Sequence, residues 1–398
     1  MLSLLFWTSA GLLAFTYLGY PLSLEALTRL RPRKSAAPAH EPAHEPAGAP
    51  AGERMPSVAL VIAAWNEAGV IKAKLENTRA LDYPSDRLKV VVASDGSQDA
   101  TVSIARSFEG NGVTVLDLPR GGKTQALERA MQWLQTEAPE VEVVVFSDAN
   151  VFLEPDALQK LVRHFADPQL GGVSADVRLR PEGFSLGASQ GLYYQYERWI
   201  QRLESQVGSI IGADGGLYGI RRALYRSVDR RLINDDFVLS MGVVRQGFRL
   251  IYDPEVVAYE DSPVDASNEL RRKIRVEHGN FQALFAGVAM PNADQPLARY
   301  CFVGHKVLRW VGFVPLTVLL GSSLGLASGG GIPALAAAGQ GLFYLLAGLG
   351  WAFEGKGGPA LKVPFYFTME NWAAARGLIR HFTGETQWGT AATRTRSV

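Results

Sequence analysis

From Ser57 onward, short hydrophobic runs alternate with stretches of helical period, and this alternation limits the fold more than any other feature of the chain. The runs SVALVIAA, LKVVVAS, VTVLDL, VEVVVFS and LGGVSADVRL read as strands. Between them, EAGVIKAKLENTRAL, DATVSIARSF, KTQALERAMQWLQ and EPDALQKLVRHF read as helices. The first, second and fourth strands are apolar almost without interruption, which suits strands covered on both faces. The order predicts an α/β fold with a mostly parallel sheet flanked by helices. Ligands of such sheets lie outside the carboxyl ends of the strands, so the residues at those ends carry the functional information.

The first strand ends in Ala64, Trp65, Asn66 and Glu67, and the second in Ser94, Asp95 and Gly96. The third leads to Arg120, Gly121, Gly122 and Lys123, and the fourth to Asp148, Ala149 and Asn150. Acids, amides and one lysine therefore gather on one sheet edge. A G-x-G-x-x-G fingerprint does not follow the first strand, and the glycines before Lys123 lack the spacing of a Walker loop. Asp148 and Asn150 suit turn and capping chemistry. They equally suit a hard divalent cation, Mg²⁺ or Mn²⁺, bridging phosphates, with Lys123 as a point charge for the same phosphates. Glu67 or Asp95 is placed to accept hydrogen bonds from a base or ribose. The edge as a whole reads as a cradle for a nucleoside diphosphate.

A net charge of +1 argues against a nucleic-acid partner. The single cysteine, Cys301, excludes an intrachain disulfide. No charge interrupts Leu2 to Leu24, which is long enough to span a bilayer, and Arg29, Arg31, Arg33 and Lys34 follow it. By the positive-inside rule these residues face the cytoplasm and the amino terminus lies outside. Val311–Ala327 and Ile332–Phe353 read as two further spans, the first preceded by His305, Lys306 and Arg309. The stretch from Val363 carries Glu370, Arg376 and Arg380, and is open to a spanning, re-entrant or interfacial reading. Residues 35–56 form a Pro/Ala/Glu linker, in which His40 and His44 read as solvated side chains.

The blocks VALVIAAWNEAGVI, VVVASDGSQDAT, PRGGKTQALERAM and VVVFSDANVFLEPDAL, in this order and spacing, resemble the family 2 glycosyltransferases over roughly residues 57–310. The membrane arrangement is similar to the cellulose, hyaluronan and poly-N-acetylglucosamine synthases of that family. The resemblance implies a GT-A fold and inverting transfer from a sugar nucleotide, with UDP as the expected carrier. It assigns Ala64, Asn66, Glu67, Asp95, Lys123 and Asp148 to the donor nucleotide. Asp148-Ala149-Asn150 becomes the D-x-D metal motif, with Asn150 a departure that supplies a carbonyl oxygen without charge.

Further carry-over follows from the same resemblance. In GADGGLYGIRRALY, Asp214 and Gly215 match an acceptor-side loop, and Arg221 reads either as a contact or as a surface residue. In INDDFVLS, Asp236 matches the general base, with Asp235 beside it. In RRKIRVEHGNF, Arg272 and Arg275 stand where processive relatives carry Q-x-x-R-W, Arg272 on the acceptor side in place of the glutamine and Arg275 as a phosphate or gate contact of the donor nucleotide. Val276 replaces the tryptophan of that motif. Trp388 belongs to a partial W-G-T match on the acceptor side.

The implied organisation is a membrane anchor at 1–28, a linker at 29–56, a GT-A domain at 57–268, amphipathic interface helices at 269–305, a membrane region at 306–382 and a cytoplasmic tail at 383–398. The expected protein is an integral protein of a bacterial-type inner (plasma) membrane with a cytoplasmic catalytic domain. It extends a growing polysaccharide, or alternatively adds one sugar to a lipid-linked acceptor, and a partner subunit or second copy would complete a polymer pore.

Overall fold

The computed structural model describes residues 1–30, 55–110, 112–180, 188–261, 266–353 and 358–384. Most of the expected linker, with His40 and His44, and the end of the chain from residue 385, with Trp388, lie outside the described residues. The chain divides into two compact units. One comprises residues 1–31, 181–207 and 262–394, and the other essentially 32–180 and 208–261.

The second unit is built on an eight-stranded sheet. Its strands are β1 (Val58–Ala64), β2 (Leu88–Asp95), β3 (Val113–Leu118), β4 (Val143–Asp148), β5 (Val151–Leu153), β6 (Leu170–Arg180), β7 (Leu217–Arg221) and β8 (Arg249–Asp261). Their spatial order is β3-β2-β1-β4-β7-β6-β8-β5. β3, β2, β1 and β4 run parallel, as the alternation predicts. β7 is antiparallel to both β4 and β6, so the sheet is mixed.

The period-2 alternation of side chains gives the sheet two cores. Val58, Leu60 and Ile62 pack on one face with Ile71 and Leu75 of the helix Ile71–Arg79. Ala59 and Val61 point to the other face, against Leu127, Ala130 and Leu134 of the helix Lys123–Glu137 and Leu239 and Val243 of the helix Asp235–Arg245. Gly171 of β6 lets that last helix approach: a Cβ there would lie 2.5 Å from Val243 Cγ1 and 2.6 Å from Phe248 Cβ.

The first unit is helical. Its amino-terminal helix, Leu2–Leu30, and the helix Gly331–Ala352 are each long and apolar enough to cross a membrane. The span expected at 311–327 departs from a straight helix. The helices Pro296–Trp310 and Phe313–Gly329 form a pair bent by 57°, which makes a third span if the two act as one. The break falls at Val311-Gly312, where glycine weakens helix continuity. These apolar helices mark a membrane-associated chain. The stretch from Val363 belongs to one helix, Pro359–Thr383.

The helix Ala188–Val207 clusters with this helical unit, so the expected catalytic stretch of 57–268 is interrupted by it. Its Glu204 and Glu197 explain the attachment. Glu204 accepts from the Tyr20 hydroxyl (2.6 Å) and faces His305 Nδ1 (2.8 Å). Glu197 faces His305 Nε2 (2.7 Å) and accepts from Arg309 (2.7 Å) and Lys306 (3.2 Å). The basic residues expected to flank a span are therefore partnered by carboxylates, as charged groups in a membrane unit generally are.

Gly171→Ala should destabilise the sheet unit by about 1–3 kcal/mol, because the added methyl overlaps three packed side chains, Val243, Phe248 and Leu224. Chemical denaturation followed by tryptophan fluorescence measures this, and an unchanged midpoint would show that the contact is not tight.

Candidate active site

The parallel register sets Ala64 beside Ser94 and Ala63 beside Asp148, so the carboxyl ends of β1, β2 and β4 open on one edge. Just beyond β1, Asn66 adopts φ +54, a left-handed conformation that asparagine tolerates better than most residues. Its side-chain carbonyl accepts from Gln98 N (2.8 Å) and its own N–H donates to Ser97 Oγ (3.1 Å). Glu67 N–H donates to Thr101 Oγ1 (2.7 Å). The Asn66-Glu67 turn is thereby laced to the loop that follows β2.

Asp95 is buried at the end of β2 and acts on the neighbouring loop. Its carboxylate accepts from Gly121 N (2.7 Å) and Gly122 N (2.9 Å) and pairs with Arg120. Gly96, at φ +65, brings β2 so near this loop that a Cβ would lie 2.7 Å from Arg120 N. The Arg120 guanidinium lies 3.8 Å over the Trp65 ring, a cation–π stack at the rim. Trp65 and Arg120 were not among the expected contacts, although both sit at strand ends, because their pairing across two loops has no linear signature.

The loop delivers Lys123 to the first position of its helix. Lys123 Nζ donates to Asp148 Oδ1 at 2.7 Å. Asp235 and Asp236 enter the same cleft from the first turn of the helix Asp235–Arg245, where the helix dipole favours negative charge. Burial works against the charge on Lys123, but Asp148, Asp235 and Asp236 outweigh it and hold the ammonium well above the ordinary lysine range. Burial, reinforced by Asp235 and opposed by Lys123, pushes Asp236 up to about 7. Gly215 lies against Asp236, since any Cβ there would overlap its carboxylate, and Asp148 N–H donates to Gly216 O (3.3 Å). Lys123, Phe146, Asp148, Gly215, Tyr218 and Asp235 line one narrow crevice.

The donor set fits a hard cation. Asp148 offers a carboxylate, and Asn150, held through Nδ2 donating to Glu260 Oε1 (3.1 Å), has its carbonyl oxygen as the group to offer a cation. Three carboxylates around one ammonium leave the cleft short of positive charge. Among the described residues no three His, Cys, Asp or Glu side chains converge as a cage, so a cation here would take its remaining ligands from phosphate and water.

Other expected residues are placed differently. Asp214 Oδ1 accepts from Gly216 N (3.1 Å), shaping the turn before β7. Arg221 stands at the far end of β7, opposite Val143, and its guanidinium donates to the carbonyls of Leu170, Phe165 and Asp167. It is a loop anchor, because antiparallel β7 starts at the site and carries Arg221 away from it. Arg272 and Arg275 lie on the helix Ala266–Phe285 of the helical unit, Arg275 exposed and Arg272 paired with Glu269 (3.0 Å).

Comparison with known proteins covers the stretch of chain that carries these residues. The sequence profile of a family described as "Glycosyltransferase like family 2" matches residues 56–278. The poly-beta-1,6-N-acetyl-D-glucosamine synthase of Staphylococcus aureus is 23% identical over 273 residues, covering 66% of this chain and 65% of that protein. The beta-monoglucosyldiacylglycerol synthase of Synechocystis is 27% identical over 255 residues, 61% of this chain and 50% of its own length. This chain therefore spans less than two thirds of these curated relatives. Among solved structures, a mannosyltransferase from Pyrobaculum calidifontis in complex with GDP-Man and Mn²⁺ shares the fold, with a TM-score of 0.72, 23% identity, and coverage of 97% of this chain and 100% of that one.

The raised pKa of Asp236 has a consequence for stability. The folded chain keeps a proton that the unfolded chain releases in the ordinary carboxylate range. The associated stability is present below about pH 4 and is lost as pH rises through about 7. Asp236→Asn should therefore raise the melting temperature at pH 8 and change it much less at pH 4. Equal effects at both pH values would contradict the assignment.

Proposed function

The chain belongs to glycosyltransferase family 2, and we propose that it transfers a sugar with inversion from a nucleoside diphosphate to the hydroxyl of a membrane-held acceptor. The observation that carries the reading is the convergence of Asp148, Lys123, Asp235 and Asp236 on one crevice at the strand ends. Asp236 is the proposed general base. It takes the acceptor proton as the hydroxyl oxygen bonds to C1 and the C1–phosphate oxygen bond breaks on the opposite face. Lys123 holds the diphosphate and meets the charge that develops on the leaving oxygen. Asp148 and Asn150 would hold Mg²⁺ or Mn²⁺, which when bound neutralises the diphosphate as a Lewis acid. The Trp65–Arg120 stack offers a flat surface for a base. UDP is the expected carrier, and the mannosyltransferase of the same fold was solved with GDP-Man and Mn²⁺.

For the acceptor we assign a lipid-linked saccharide or lipid hydroxyl. An apolar cavity of about 330 Å³ in the helical unit, lined by Leu270, Tyr344, Trp351, Phe365, Met369 and Trp372, suits an alkyl chain. Val276 offers no aromatic platform for a growing polymer. The second reading, extension of a polysaccharide, is favoured by the similarity to a poly-N-acetylglucosamine synthase. In either case the sheet unit is proposed to face the cytoplasm, where nucleotide sugars are available.

A panel of UDP- and GDP-sugars with Mg²⁺ or Mn²⁺ should give nucleoside diphosphate release from the purified chain. With the active donor, kcat/KM should rise with pH through about 7 as Asp236 loses its proton. Asp236→Asn should bind nucleotide normally yet lose at least about 10²-fold in turnover. Near-normal turnover would move the base elsewhere, with Asp235 next.

Product sizing under limiting donor and excess acceptor decides between the two acceptors. A uniform shift by one sugar supports the lipid-linked reading, and long chains beside untouched acceptor would replace it with the polymerase reading.

A further inference from the structure

Lys74 is a lysine in the wrong place for a surface helix. The helix Ile71–Arg79 buries Ile71, Leu75 and Thr78 on one stripe, and Lys74 lies on that stripe, wholly shielded from solvent. Its ammonium donates to Ser147 Oγ (2.8 Å) and to the carbonyl of Val151. Ser147 Oγ in turn lies 3.2 Å from the Asp148 carbonyl and donates to it. These two links bracket the turn 148–150, one at the end of β4 and one at the start of β5. One helical turn further on, Asn77 exchanges two hydrogen bonds with Leu153, donating to its carbonyl (2.8 Å) and accepting from its N–H (2.9 Å). Asn77 already secures β5, so the reach of Lys74 is directed at the turn itself.

We propose that Lys74 is the positioning residue of the metal turn: its buried ammonium ties β4 to β5 from beneath and fixes the direction in which Asp148 and Asn150 present oxygen to a divalent cation. The inference rests on the metal reading of Asp148. A buried ammonium whose two hydrogen-bond acceptors are neutral, with the Asp148 carboxylate as the charge that favours it, is costly to desolvate, and a neutral donor such as the amide of Asn77 manages the neighbouring strand without that cost. A lysine placed where both ends of the turn are within reach is accounted for by its two bonds there. Groups that orient a metal's ligands typically change metal affinity by about 10–100-fold when removed.

The test uses the full chain purified in detergent and titrated with Mn²⁺ alone, with free Mn²⁺ read by electron paramagnetic resonance. Lys74→Met keeps the unbranched apolar stem, one atom shorter, and removes the donor. It should weaken Mn²⁺ binding by about 10-fold or more, speed amide exchange at residues 148–151, and leave the melting temperature equal or higher. Turnover lost at low Mn²⁺ should return at high Mn²⁺, which a general loss of structure would not allow. Ser147→Ala cuts only the relay to the Asp148 carbonyl and should weaken Mn²⁺ binding in the same direction by less. It decides the matter if Lys74→Met does not fold. Asp148→Ala is the control. If it abolishes Mn²⁺ binding while Lys74→Met and Ser147→Ala, or Ser147→Ala alone where the first is unfolded, keep wild-type affinity, the role of Lys74 is overturned and the metal reading stands. If Asp148→Ala itself binds Mn²⁺ normally, the metal reading falls and the role of Lys74 falls with it.

Discussion

The ion pair between Lys123 and Asp148 is the contact on which the site depends. Three carboxylates, Asp148, Asp235 and Asp236, face one crevice, and such a cluster repels itself unless a cation stands among them. Lys123 supplies that cation from the chain. Its place at the first position of a helix is set by the loop before it, and that loop is set by Asp95. One carboxylate gripping two backbone N–H groups and a guanidinium is a strong use of a buried acid, because charge-assisted bonds to backbone amides are both short and directional.

The same economy appears on the other side of the crevice. Gly215 leaves space for the Asp236 side chain, and Gly171 lets the helix bearing Asp235 and Asp236 settle on the sheet. Burial then raises the pKa of Asp236 towards neutrality, into the range where a base is both available and effective. The cost is carried by the fold, which is destabilised wherever Asp236 is forced to ionise. With Asp236 as the proposed base, stability and proton transfer are coupled through one side chain.

Much of the fold was legible in the sequence. β1, β2 and β4 are runs of Val, Ile, Leu and Ala with strand period and abrupt polar ends, and their parallel register follows from the intervening helices. Lys123 and Asp148 stood out at strand ends, whereas Asp235 and Asp236 stood out only through the family resemblance, since two acids at a helix start also read as capping. Asp95 was visible as an acid at a strand end, but not its partners, since backbone N–H groups have no side-chain signature. Arg221 stayed open between a contact and a surface residue because an antiparallel strand reverses which end faces the site, and strand direction is not written in composition. Lys74 had a signal that is clear afterwards: it falls three residues after Ile71 and next to Leu75, on an apolar stripe where a lysine does not belong unless something meets it. The bend of 57° falls at Val311-Gly312, where a lone glycine weakens a helix without fixing whether it breaks. The attachment of the helix Ala188–Val207 to the helical unit depends on tertiary pairing, Glu197 and Glu204 with His305 and Arg309, which local pattern does not encode.

The central claim is a single displacement driven by one base, and the anomeric configuration of the product tests it most directly. With the donor that the purified chain turns over, proton NMR of the freshly formed glycoside reports the configuration at C1. An α-linked donor giving a β-linked product is the outcome that one base and one displacement predict. A product that retains the donor's configuration would contradict the account, because retention needs either a covalent intermediate or front-face attack, neither of which has a role for Asp236 as the only proton acceptor.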